Sequence, residues 1–158
     1  MTDQAHFSSL MSVEPEWIDY NGHLNMAYYN VLFDRGVDEI WAEIGFGPSY
    51  AANRGFTTYS AECHIRYLRE IHQGDQVRVR FQLLDHDEKR LHLYQELIHS
   101  DGWISATAEG LSLHIDMSGP RVAPMPADIL ANVRAIAQKH AALPRPTNIG
   151  RPIGIHRK

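Results

Sequence analysis

Between Asn25 and Ile44 the apolar residues keep a helical beat. Tyr29, Leu32, Phe33, Val37, Ile40, Trp41 and Ile44 fall at i, i+3, i+4, i+8, i+11, i+12 and i+15, a single stripe at a 3.6-residue period. Asp34, Arg35, Asp38 and Glu39 lie largely off it. Asn25 fits an N-cap and Gly45 a C-terminal stop. Gly36 sits inside the stripe, where a missing side chain lets another backbone approach. Residues 45–55, with three glycines and a proline, read as a loop.

Beyond this loop the period changes from 3.6 to 2. Thr57 to Leu68 alternates through Cys63, Ile65 and Tyr67, which places Cys63 on a buried face. Asp75 to Asp85 alternates Val77, Val79, Phe81 and Leu83 against Arg78, Arg80 and Gln82. Leu91 to His99 puts Leu91, Leu93 and Leu97 on one face, and Trp103 to Asp116 ends with Leu111, Leu113 and Ile115 on one face. Turn residues at 73–75, 85–88 and 101–102 separate these runs, so the strands are expected to be antiparallel hairpins. A shorter strand is expected over Phe7 to Val13. A second helix is expected over Ala127 to His140, with Ile129, Leu130, Val133, Ile136 and Ala137 as its apolar face.

The order strand, long helix, four strands, helix is α+β. A single striped helix needs an apolar partner face, and a curved antiparallel sheet supplies one. With 158 residues, the chain fits a single domain, residues 1–158. Its core is expected over about 7–140, followed by a proline-containing tail, 141–158, that is extended or mobile.

Composition narrows the chemistry. One cysteine excludes an internal disulfide and every multi-cysteine metal site. A net charge of -4 gives no reason to expect nucleic acid as a partner. No 18-residue apolar run is present, so no membrane partner is expected. The polar start, Met1 to Ser9, lacks the pattern of a secretory signal, which makes the cytoplasm the expected location. Ten histidines raise the question of metal, but no pair has H-x-H or H-E-x-x-H spacing, so neither metal nor cofactor is expected.

One segment concentrates chemistry. Asp19-Tyr20-Asn21-Gly22-His23-Leu24-Asn25 brings a carboxylate, two amides, a glycine and an imidazole to a helix start. Unpaired N–H groups there can polarise a carbonyl on which negative charge develops. A carboxylate beside them could act as nucleophile or as general base on water. The same residues also fit a simple Asx-type turn and N-cap.

This segment, Asp19-x-Asn21-Gly22-His23-x-Asn25, resembles the hot-dog-fold acyl-CoA thioesterases of the 4-hydroxybenzoyl-CoA thioesterase-like group. So do His64-Ile65-Arg66-Tyr67-Leu68-Arg69-Glu70 and Gly74-Asp75-Gln76-Val77-Arg78-Val79. The resemblance implies a hot-dog fold: an antiparallel sheet wrapped around one long central helix. It implies Asp19 as the catalytic carboxylate, with Asn21 and His23 beside it, and backbone N–H groups at Gly22, Leu24 and Asn25 facing the oxyanion. It also implies an acyl-CoA substrate and a homodimer or higher oligomer with its site between subunits. The 4-hydroxybenzoyl type has an apolar residue where His23 stands, which departs from an aromatic acyl group.

A nearer resemblance is to the betainyl-CoA thioesterases of carnitine breakdown. Residues 17–24, Lys89-Arg90-Leu91-His92, Leu113-His114-Ile115-Asp116 and Gly150-Arg151-Pro152-Ile153 carry it. A quaternary ammonium is held by aromatic faces. Trp17, Tyr20, Tyr28, Tyr50 and Tyr59 are candidates for this, with Glu62 as a pocket carboxylate; each aromatic also fits ordinary packing. Arg66, Arg69, Lys89, Arg90 and Arg121 are candidates for the coenzyme A phosphates. Glu39 and Glu43 stand past the helix middle, which leaves Asp19 as the expected carboxylate. The competing readings are a short- or medium-chain, aromatic or acyl-carrier-protein thioesterase, a hot-dog dehydratase or hydratase, and a non-catalytic acyl-CoA-binding module.

Overall fold

The computed structural model describes residues 4–158. Its elements run β1 (His6–Phe7), β2 (Met11–Ser12), α1 (Tyr29–Ile44), α2 (Pro48–Arg54), β3 (Phe56–Tyr67), β4 (Gln76–His86), β5 (Arg90–His99), β6 (Ile104–Asp116), β7 (Arg121–Val122) and α3 (Ala127–His140). Two 3-10 turns, Pro15–Trp17 and Met26–Tyr28, precede α1. The strands form one antiparallel sheet in the order β1-β4-β5-β6-β3, with β2 also on β4 and β7 on β6. Both α1 and α3 pack on β4, so the sheet curves around the long helix as the α+β reading requires.

The stripe residues of α1 are the buried ones, and Leu32 and Ile40 are fully enclosed. Opposite them stand the alternating residues Val77, Val79, Phe81 and Leu83 of β4. Gly36 marks the crossing point. A Cβ there would lie 2.4 Å from Val79 Cγ2, closer than atoms can pack. The helix starts later than expected, because Asn25 caps the 3-10 turn (Ala27 N donates to Asn25 Oδ1, 3.0 Å) and α1 begins at Tyr29.

Four expectations need correction. The loop over 45–55 contains α2. Gly47 and Gly55, at φ of 115° and 70°, bracket seven helical residues, and Pro48 opens them. Proline starts helices as well as breaking them. The strand over Phe7 to Val13 is broken in two. Phe7 pairs with Arg80 and Met11 with Val77, so four steps on one strand face three on the other. That one-residue excess is a bulge, and within it the Ser8 hydroxyl accepts the Val79 N–H at 2.9 Å. Cys63 is exposed, because β3 is the sheet's edge. Finally, the tail is extended but anchored as far as Gly150. Pro144 O accepts from Gln82 Nε2 (3.3 Å), Asn148 Nδ2 donates to Thr107 Oγ1 (3.2 Å), and Gly150 N donates to Glu109 Oε2 (2.8 Å).

Candidate active site

The Asp19–His23 segment is a tight turn closed by the bridge between Ile18 and Leu24. Asp19 N donates to His23 O at 3.1 Å, and Gly22 N to Asp19 O at 3.0 Å. Gly22 supplies the φ of 83° that this reversal needs. Asp19 Oδ1 accepts the Asn21 N–H at 2.8 Å, an Asx turn. The turn and the catalytic reading are therefore compatible. One carboxylate oxygen fixes the loop, and the other carries no hydrogen bond among the described residues. Next to it, His23 meets His72 edge to face at 6.3 Å.

A cavity of about 490 Å³ opens at this turn. Asp19, Asn21, His23 and Met26 form one wall, and Tyr67 and Arg69 stand on another. Asp19, Asn21 and His23 thus come together on one concave surface, with Gly22 at the turn's apex. The expected oxyanion donors do not face it freely. The N–H groups of Gly22, Leu24 and Asn25 donate to Asp19 O, Ile71 O (2.8 Å) and Trp17 O (2.9 Å). Helix geometry leaves the first N–H of the following turn, at Met26, as the orphan donor.

The expected aromatic cage does not assemble. Trp17 is buried and stacks on Tyr28 at 5.7 Å, with Arg35 5.0 Å from the Trp17 ring. Tyr50 is a core residue whose hydroxyl meets His114 Nε2 at 2.7 Å. Tyr59 is half exposed on β3, and Tyr20, 98% exposed, reaches only the rim of the motif cavity.

The expected phosphate-binding cations also separate. Arg69 lines the motif cavity and lies over the Trp103 ring at 3.9 Å; Arg66 is on neighbouring β3. Arg90 pairs with Asp87, and Arg121 with Asp116 at 2.8 Å. In register, Tyr67 faces Ala106, Arg90 faces Leu113 and Arg121 faces Asp116. At about 3.3 Å per residue, Arg90, Arg121 and neighbouring Lys89 lie roughly 20 Å or more from the motif end.

A second cavity, of about 420 Å³, lies farther along α1, between it and β3. Asn30, Phe33, Asp34, Val37, Asp38 and Trp41 line it from the helix, and Glu62 stands at its edge, where β3 has a bulge between Ser60 and Glu62. Burial, and then the Asp34 charge, hold the Asp38 carboxyl above the ordinary carboxylate range. Both residues are exposed, as their positions off the apolar stripe predict. Their i, i+4 spacing stacks like charges on one helix face at a cost. The helix glutamates lie elsewhere: Glu39 accepts from Ser9 N at 2.9 Å, and Glu43 pairs with His6 at 3.3 Å. Among the described residues no group of three or more His, Cys, Asp or Glu is arranged to hold a metal ion.

Comparison with known proteins identifies the family. The thioesterase-like superfamily model matches residues 13–133. The chain belongs to this superfamily. It is 42% identical over 144 residues to a betainyl-CoA thioesterase of Pseudomonas aeruginosa, covering 90% of this chain and 91% of that one. It is 37% identical to an L-carnitine dehydrogenase/betainyl-CoA thioesterase of Rhizobium meliloti; the match covers 92% of this chain but 29% of that longer protein. A Staphylococcus aureus protein solved in complex with CoA superposes with a TM-score of 0.89 at 27% identity, covering 99% of this chain and 98% of that one. Thioesterase class and hot-dog fold are therefore properties of this chain.

Proposed function

We propose that this thioesterase hydrolyses betainyl-CoA to trimethylglycine and coenzyme A, with Asp19 as the catalytic carboxylate. The observation that carries this reading is the 42% identity across nine-tenths of both chains to a betainyl-CoA thioesterase. A superposable relative that holds CoA supports an acyl-CoA substrate.

In the step we favour, Asp19 takes a proton from water as the water oxygen adds to the thioester carbonyl. The developing oxyanion receives the Met26 N–H at the positive end of the helix start. The C–S bond then breaks, and the proton passes from Asp19 to the departing sulfur. With a thiol pKa near 8.5, the sulfur leaves readily. Direct attack by Asp19 on the carbonyl, followed by hydrolysis of the anhydride, uses the same atoms. Asn21 and His23 orient the water.

The functional unit in this reading is a homodimer. β3 has twelve residues, pairs with β6 on one side, and exposes Tyr59 and Tyr67. An edge of that length invites pairing with a second copy. Sedimentation at micromolar concentration checks this, and a monomer overturns it.

Thiol release from a panel of CoA esters tests the substrate. Betainyl-CoA is expected to give the highest kcat/KM. A higher value for a medium-chain or aromatic ester overturns the acyl assignment, and no release from any CoA or acyl-carrier-protein ester overturns the hydrolase reading.

A further inference from the structure

We infer that Tyr67 is a positioning residue for the hydrolysis: its hydroxyl, at the end of β3, holds the turn that presents the Met26 N–H to the oxyanion. The inference rests on the reading of Met26 as the oxyanion donor and adds the group that fixes it.

The backbone around Met26 singles out one donor. Leu24 N donates to Ile71 O at 2.8 Å, Asn25 N to Trp17 O at 2.9 Å and Tyr28 N to Asn25 O at 3.0 Å. Ala27 N donates to Asn25 Oδ1 at 3.0 Å. Between Leu24 and Tyr28, only the Met26 N–H is without an acceptor among the described residues. Met26 also lines the motif cavity together with Asp19.

Such a donor helps most when it is aimed before charge develops, because reorienting it during the reaction cancels part of the gain. Asn25 braces the turn from within, through its side-chain and backbone oxygens. Tyr67 braces it from across the chain. Its hydroxyl donates to Met26 O at 3.2 Å, and its ring meets Tyr29 edge to face at 5.0 Å. Tyr29 is buried at the first position of α1, so this ring contact seats Tyr67 against the helix start. The carbonyl it holds and the free N–H belong to the same residue. The bond therefore restrains the rotation of Met26 between its two peptide planes.

Magnitudes separate positioning from stability. Tyr67 is 45% exposed, so its hydroxyl exchanges water for a carbonyl, and a bond of that kind adds little to folding. Its loss is felt instead in the transition state, where misplacing a group by about 1 Å costs up to roughly 10²-fold in rate.

The test uses the full-length protein and the CoA ester that it hydrolyses fastest. Tyr67→Phe keeps the ring and its contact with Tyr29 and deletes the hydroxyl. It is expected to lower kcat about three- to tenfold, the size of one hydrogen bond, with KM and thermal midpoint close to the wild type. Met26→Pro deletes the N–H itself. Proline suits the first position of a helical turn, and Asn25, at φ -62° and ψ 140°, already has the extended conformation that precedes proline. This variant is expected to lower kcat about 10²-fold. Met26→Ala shortens the side chain but keeps the N–H, and is expected to be at least about tenfold faster than Met26→Pro. In the Met26→Pro background, Tyr67→Phe is expected to have no further effect, because the group it positions is gone. Should Met26→Pro melt well below the wild type, the kcat-against-KM split of Tyr67→Phe decides alone. An unchanged kcat in Tyr67→Phe, a raised KM in place of the lower kcat, or an equal loss in both backgrounds overturns the inference and leaves the Met26 donor in place. A Met26→Pro protein as fast as Met26→Ala overturns the donor reading and the inference with it. A wild type that releases thiol from no CoA ester overturns the hydrolase reading as well.

Discussion

The two cavities beside α1 are built in opposite ways. The motif cavity takes its proposed catalytic residues from seven consecutive positions held by local hydrogen bonds, with the Asx turn at Asp19 and the Asn25 cap as its framework. The α1–β3 cavity takes its residues from two helices, α1 and α2, and from three strands spread over residues 57–112. Local construction fixes a reacting group; distributed construction shapes the space around it. In the proposed mechanism the chemistry sits in one short segment, and changes elsewhere along the chain can reshape the second cavity without disturbing it.

Breaking the local cavity should have the largest effect. Asp19→Asn keeps the side chain's shape and its Oδ1 acceptor, so the turn survives. The base or nucleophile is gone, and kcat is expected to fall at least about 10²-fold, with little change in thermal midpoint. Turnover at the wild-type rate would remove Asp19 from the mechanism and return the segment to a plain turn and cap.

Gly36→Ala tests what the two cavities share. The added Cβ would meet Val79 at 2.4 Å, so α1 must lift from β4. Overpacking of this kind costs about 1–3 kcal/mol, which chemical denaturation would register as a lower midpoint. Because α1 walls both cavities, turnover is expected to decline along with stability. A stable Gly36→Ala protein with unaltered turnover would show that the helix position is not shared in this way.

A smaller effect belongs to α2. His114 is buried, with Nδ1–H donating to Ala123 O at 2.8 Å and Nε2 accepting the Tyr50 hydroxyl at 2.7 Å. Burial holds its pKa below the ordinary histidine value, with the Arg54 charge adding to this and Asp116 and the Ala123 hydrogen bond opposing it. The unfolded chain therefore binds a proton first as pH falls. The stability that neutral His114 contributes is complete above about 6.5, the ordinary histidine value, and is lost as pH drops through the lower folded value. The thermal midpoint should decline over that window, and His114→Gln should flatten the decline. An unchanged pH profile in that variant would place the acid sensitivity elsewhere.

The same division explains how much the sequence reveals. Strands β3 to β6 and helix α3 emerge within a residue or two, because alternation and helical period are written locally. The Asp19 turn is legible for the same reason. α2 is not, since a seven-residue helix between glycines and opened by Pro48 has the composition of a loop. Cys63 alternates with Ile65 as a buried residue would, but its strand is an edge, and strand order is not encoded in alternation. Asp34 and Asp38 stay exposed in the structure, as positions off the apolar stripe predict. Gln95 continues the inward series Leu91, Leu93 and Leu97, and its burial without a partner for Oε1 appears only when the cavity is assembled.

The smallest expected effects concern coenzyme A, where sequence alone offered five cations of equal standing. Arg69 is at the motif cavity and is braced on Trp103 at 3.9 Å, so its charge is held beside the proposed catalytic turn. Arg121 is occupied by Asp116 at the opposite end of the sheet. Exposed charge contacts are worth about 0.2–1 kcal/mol. Arg69→Ala is therefore expected to raise KM about two- to fivefold with kcat nearly constant, and Arg121→Ala to leave both within error. The reverse pattern would mean that the nucleotide crosses the far end of the sheet. In a dimer, that end would then have to lie beside the motif cavity of the second copy, so this pair of variants reports on subunit arrangement as well as on phosphate binding.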